Sequence, residues 1–165
     1  MIPTEMFIGE FHVTKNNKYK HMKRHEALAP LSREHHSTLM LAQLLKKNAP
    51  VYKGLPTNAK DKAEYALQQF EAIIKNNFQQ EEIILEKAKD CHADIKSLSE
   101  EIIKEHRQLT ALFNSLSTAA EPEDVMDELA TVLQNHIRKE ERILFPLLQE
   151  HCPEELLQQI HNDLH

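Results

Sequence analysis

The sequence predicts an all-α protein: an antiparallel up-down four-helix bundle with an N-terminal arm and a short C-terminal helix. Three observations predict it. Ala, Leu, Glu, Lys and Gln, all good helix formers, dominate the 165 residues. Two Gly, no Trp and 5% aromatic residues leave the turns and strands of a sheet poorly supplied. Apolar residues recur at helical spacing in four stretches with mostly short connections, which favours antiparallel neighbours.

Residues 1–29 show no sustained period and read as the arm; Pro3, the Asn16-Asn17 pair and a basic cluster from Lys15 to Arg24 fall here. Residues 30–149 form the bundle. Pro30 and Ser32 open a first helix, with Ser32 as N-cap, that runs to about Lys47 before Pro50 bars continuation. Val51–Pro56 is a loop, and Thr57 or Asn58 caps a long second helix reaching about Cys91. Ser97-Leu98-Ser99-Glu100 fits a capping box for the third helix, which runs to about Thr118. Glu121-Pro122-Glu123-Asp124 suits the first turn of the fourth, which Pro146 ends or kinks near Leu144. Residues 150–165 come last, with Pro153-Glu154-Glu155 starting a short fifth helix.

The bulk charge narrows the function. A net charge of −6 gives no general pull toward nucleic acid or an anionic membrane, and the basic cluster reads as a solvated arm. No apolar run is long enough to span a bilayer. The opening MIPTEMFIGEFHV lacks the pattern of a signal peptide, so a cytoplasmic protein is expected. Cys91 and Cys152 have no metal-ligand spacing and read as buried or idle thiols.

The inward stripes carry the chemistry. They are Leu31, His35, Leu39, Ala42 and Leu45; then Ala63, Leu67, Phe70, Ile74, Asn77, Glu81, Ile84 and Ala88; then Ile102, His106, Leu109, Phe113 and Leu116; then Val125, Leu129, Val132, His136, Glu140, Ile143 and Leu147. Each is interrupted by polar residues, so that two carboxylates and three imidazoles point inward from four helices. Two ionised carboxylates in a bundle core without counter-charge would cost several kcal/mol each. A bound cation is the simplest neutraliser, and this donor set suits iron, manganese or zinc. His136 and Glu140, spaced i and i+4, share one face, as do Asn77 and Glu81. Arg33-Glu34-His35-His36 echoes Lys104-Glu105-His106-Arg107, and residues 78–85 echo residues 137–144. The bundle thus reads as two helix pairs, each supplying half of a site. The echo selects His35 over His36. Of the other histidines, His12, His151, His161 and His165 are expected to face solvent, and His92 to end the second helix.

Leu31-Ser32-Arg33-Glu34-His35-His36, Phe78-Gln79-Gln80-Glu81-Glu82, Glu105-His106 and the run His136-Ile137-Arg138-Lys139-Glu140-Glu141-Arg142-Ile143-Leu144-Phe145-Pro146 together resemble the hemerythrin-like (HHE cation-binding) domain family, over about Arg24 to Pro146. The resemblance implies an antiparallel four-helix bundle around a non-haem di-iron centre. Glu81 and Glu140 would bridge the irons, and His35, His106 and His136 match histidine ligands. Members bind dioxygen, sense oxygen or iron, handle nitric oxide or help repair iron centres. One position departs: Asn77 stands where the family has His, and an amide oxygen is a poor iron ligand beside imidazole. The expectation is a metal-binding protein holding one or two irons per chain, or another divalent metal, in an asymmetric site. His36, or His21 or His25 of the arm, or water are candidates to complete it. Binding or sensing dioxygen or nitric oxide is the expected role. The rivals are a redox enzyme or iron donor in nitric oxide or peroxide stress, and an interaction module with a degenerate site; no separate catalytic constellation is present.

Overall fold

A computed structural model of the chain describes residues 22–165; the rest of the expected arm, with His12 and His21, lies outside the described residues. All regular structure among the described residues is helical. Helix α1 is Ala29–Leu45. Helix α2 joins Ala59–Gln69 to Lys75–Ala88 through a π-helical turn, Phe70–Ile74. Helix α3 is Ala93–Ser115. Helix α4 joins Pro122–Lys139 to Phe145–His151 through a second π-helical turn, Glu140–Leu144. Helix α5 is Glu154–Leu164.

The starts of α2, α4 and α5 agree with the sequence reading. Asn58 caps α2, its side-chain oxygen accepting from the Asp61 N–H at 2.9 Å. Other boundaries differ. Ser32 is not an N-cap: a turn in which the N–H groups of Leu28 and Ala29 bond the His25 carbonyl starts α1 earlier, with Pro30 in its first turn. Nor does the box at Ser97 start α3. His92 caps that helix instead, its Nδ1 accepting from the Asp94 N–H at 3.1 Å, so His92 belongs to the start of α3 and not the end of α2. Helix α4 runs past Pro146 to His151. In the π turn the Phe145 N–H bonds the Glu140 carbonyl, and Pro146 becomes an early residue of a new α-helical segment, where a missing N–H costs little.

The apolar interior falls into two clusters. One contains Leu41, Leu44, Phe70, Ile74, Phe78, Leu109, Phe113, Leu129, Leu133 and Ile137. The other contains Leu28, Leu31, Ile84, Leu85, Ile95, Leu98, Ile102, Leu144, Phe145, Leu148, Leu157 and Ile160. Along α1 the order is second cluster, His35, first cluster; along α2 it is first cluster, Glu81, second cluster. Helix α3 repeats the order of α1 about His106, and α4 that of α2 about His136 and Glu140. A buried polar layer therefore separates the clusters on every one of these helices. Helix α5 closes the second cluster with Leu157 and Ile160, and Lys87 of α2 bonds its Asp163 at 3.1 Å.

The stripes survive with local rephasing. Leu39, Leu67, Val125, Val132 and Ile143 are only partly buried, while Leu41, Ala66, Met126, Leu133 and Ile137 are buried. Phe70 and Phe113 are core residues, stacked with ring centroids 4.6 Å apart. Residues 22–28 pack down onto the helices. Ala27 and Leu28 are fully buried, and Arg24 donates to Glu141 at 2.8 Å.

Candidate metal centre

The four helices bring together the residues that interrupted the stripes. Glu81 and Glu140 are 1% and 0% exposed, and His35, His106 and His136 are buried beside them. Each carboxylate turns its two oxygens to opposite sides. His35 Nε2 lies 2.9 Å from Glu81 Oε1 and 3.1 Å from Glu140 Oε2. On the other side, His106 Nε2 lies 3.1 Å from Glu81 Oε2 and 3.6 Å from Glu140 Oε1. His136 Nε2 lies 2.9 Å from the same Glu140 oxygen. Glu81, His106, His136 and Glu140 each offer one donor atom, all within 4.8 Å of one another.

A second set of residues, which the sequence reading did not assign, holds the imidazoles in place. His35 Nδ1 meets Glu141 at 2.6 Å, His106 Nδ1 meets Glu82 at 3.0 Å, and His136 Nδ1 meets Glu105 at 2.6 Å. Each of these glutamates directly adjoins an inward residue in sequence: Glu81-Glu82, Glu105-His106, Glu140-Glu141. Neighbours on a helix differ by about 100°, so one points inward while the next reaches the histidine of an adjacent helix. A cation backs each of them: Arg107 for Glu82, Lys139 for Glu105 and Arg24 for Glu141. Aromatic rings cover the imidazoles. Phe78 stacks on His106 at 4.1 Å, and Phe145 on His35 at 5.7 Å.

Asn77 repeats the pattern with a different group. It is buried, and its Nδ2 donates to Glu34, the neighbour of His35, at 2.7 Å. An amide N–H thus meets an orienting carboxylate where the other three positions present an imidazole nitrogen. His36 is exposed, in a surface groove of about 440 Å³ with Leu39 and Met40. His25 bonds Glu154 at 3.0 Å, and its Nδ1 accepts from the Ala27 N–H. Neither supplies a fourth imidazole to the cluster. His151 and His161, expected to face solvent, are partly buried.

The electrostatics are set by this packing. Burial works against a charged imidazole, but the carboxylates outweigh it. His106 is pushed up to about 10 by Glu140 and Glu81. His136 is pushed up to about 9 by Glu140 and Glu105. His35 moves well above its ordinary value through Glu140, Glu141 and Glu81. Burial would raise Glu140, yet His136, His106 and His35 hold it well below the carboxylate range. Glu81 goes the other way, raised by its burial and by the charge of Glu140. Glu105 and Glu141 are lowered, against burial, by hydrogen bonds to His136 and His35.

A cation fits this arrangement. His136 Nε2 and both Glu140 oxygens are buried, and their close approaches lack hydrogen-bond geometry. Buried polar atoms of this kind require a partner. With each Nδ1 committed to an orienting carboxylate, each Nε2 faces inward, as an imidazole metal ligand requires.

Compared with models of known protein families, residues 26–148 match the family described as Hemerythrin HHE cation binding domain. No curated protein and no solved structure matches the chain.

Proposed function

Since this chain belongs to the hemerythrin HHE cation-binding domain family, we propose that its buried His/Glu layer holds non-haem iron and that the protein binds or senses dioxygen or nitric oxide there. One observation carries the reading: Glu81 turns one oxygen toward His106, Glu140 turns one toward His106 and His136, and both turn the other toward His35. That is the disposition of two carboxylates shared between two adjacent cation positions. We read the helices as an antiparallel up-down four-helix bundle, supported by the alternating cluster order and by pairs such as Glu101–Lys139 and Glu105–His136.

The two positions are unequal. His106, His136, Glu81 and Glu140 give one of them two nitrogens and two oxygens. The other has His35 and the remaining carboxylate oxygens, with Asn77 turned to Glu34. We assign the tightly held iron to the first position and a weaker or vacant one to the second. Iron held there by His35, His106, His136, Glu81 and Glu140 would supply redox-active chemistry toward small diatomic ligands. The protein's own part is to orient three imidazoles through Glu82, Glu105 and Glu141 and to exclude water with Phe78 and Phe145. We place the protein in the cytoplasm; no helix among the described residues is long and apolar enough to cross a membrane.

The test is metal analysis of protein made under iron-replete conditions and purified without chelator, followed by nitric oxide or dioxygen addition to the reduced form. About one firmly held iron per chain and a ligand-dependent visible spectrum are expected. Two equivalent irons would contradict the asymmetry. Iron-free protein would leave the degenerate-site reading, and turnover of peroxide or nitric oxide would make the protein an enzyme.

A further inference from the structure

Away from the polar layer, the two cysteines of the chain share one apolar cluster. Cys91 stands on the turn between α2 and α3, its N–H bonded to the Ala88 carbonyl at 2.9 Å. Cys152 stands on the turn between α4 and α5, its N–H bonded to the Leu148 carbonyl at 2.9 Å. Neither cysteine is in a disulfide; Cys91 is partly exposed and Cys152 is buried. Cys91 packs on the apolar cluster that contains Cys152. Their sequence neighbours clamp the turns together: His92 and His151 stack with ring centroids 4.0 Å apart and planes 22° from parallel. The quartet is not a ready metal cage. The imidazoles face each other, and His92 Nδ1 already accepts from the Asp94 N–H.

We infer that Cys91 and Cys152 form a reversible dithiol–disulfide pair that exchanges with small disulfides of the glutathione type and ties the α2–α3 turn to the α4–α5 turn. This does not depend on the metal reading. Exchange starts at Cys91, the thiol that solvent reaches. Its thiolate attacks one sulfur of oxidised glutathione and displaces one glutathione thiolate, leaving a mixed disulfide on Cys91. Cys152 then attacks the Cys91 sulfur and displaces the second glutathione. Two protein thiols are oxidised, two glutathione thiols form, and the protein's two protons pass to them. Burial, with Cys91 beside it, pushes the Cys152 thiol up to about 12, so it is the poorer partner for a disulfide arriving from solution.

The experiment equilibrates the full chain as purified in glutathione buffers of increasing oxidation, quenches with a maleimide and reads intact mass. Wild type, alkylated in denaturant, is expected to pass from two alkylatable thiols to none, losing two hydrogens, as a monomer and reversibly with dithiothreitol. Cys152→Ser should stop with one glutathione on Cys91; Cys152→Ala is the second variant should a buried hydroxyl disturb folding, read by circular dichroism. Cys91→Ser should keep a thiol that is alkylated only after unfolding. The inference is overturned if wild type accumulates the glutathione adduct, forms disulfide-linked dimers, or keeps both thiols in fully oxidised buffer. Equal glutathione uptake by Cys91→Ser would overturn the assigned order.

Discussion

Glu105 accepts from His136 Nδ1 and is held from behind by Lys139, so it sets which nitrogen of that imidazole faces inward. Glu105→Gln keeps the shape and removes the charge. Its expected effect is a loss of metal affinity of roughly 10- to 100-fold with helicity retained. Chelator competition checks it; unchanged affinity would reduce Glu105 to a surface acid. Glu34 makes the matching contact to Asn77. An Asn77→His variant therefore places a new imidazole beside a carboxylate already suited to orient it, and bound iron should rise from about one toward two per chain. If stoichiometry stays at one, the missing imidazole is not what limits the second position. Protons compete for these sites. His106 and His136 are raised from 6.5 to about 10 and about 9 in the metal-free protein. Their contribution to its stability is complete below pH 6.5 and is lost as pH rises through 9 and 10. Metal binding must displace the same protons, so apparent affinity should instead rise with pH, by up to about 100-fold per unit near neutrality for two protons. Melting of chelated protein and metal titration, both across pH, should show these opposite trends.

At the scale of the helices, the inward His/Glu set was legible because each residue broke an apolar stripe. An isolated polar residue at a core position is a strong signal. The orienting glutamates were not legible, since an acid one place from an inward residue looks like any solvated helix face. Only the packing of a second helix shows that Glu82, Glu105 and Glu141 each reach a histidine. Helix starts were read where a cap or proline acts alone, as at Asn58 and Pro122, and misread where a competing group supplied the cap, as His92 did for Ser97. In α4 the stripe was read one residue off at Val125 and Val132, where Met126 and Leu133 are the buried neighbours, an error that precedes the π turn; within that turn the wider winding buries Leu144 rather than Ile143. Core packing at this scale is testable at Phe113, fully buried and stacked on Phe70. Phe113→Ala should cost about 3–5 kcal/mol in denaturant unfolding. A loss under about 1 kcal/mol would show that the first cluster collapses around the gap.

For the molecule as a whole, the polar layer lies between two apolar clusters that all four long helices cross. Filling it with a cation joins the clusters; emptying it leaves two mutually repelling carboxylates to be balanced by protonated histidines. A chelator should therefore lower the melting temperature by an amount that grows with the metal's concentration over its dissociation constant. Calorimetry with and without chelator checks this, and identical transitions would mean that the layer is stable on protons alone.

The wide turn at Glu140–Leu144 has a consequence for how α4 can change length. A π-helical turn holds one more residue than an α-helical turn needs, and this one lies after His136 and starts at Glu140. Removing one residue between Arg142 and Leu144 would restore ordinary winding and leave everything beyond facing as before; winding the same residues as an unbroken α-helix would instead turn everything beyond by about 100°. His136 and Glu140 would keep their places, while Phe145 would swing off His35 and Cys152 away from Cys91. The wide turn acts as a phase shifter: it lets one helix serve two neighbourhoods that no single register would satisfy.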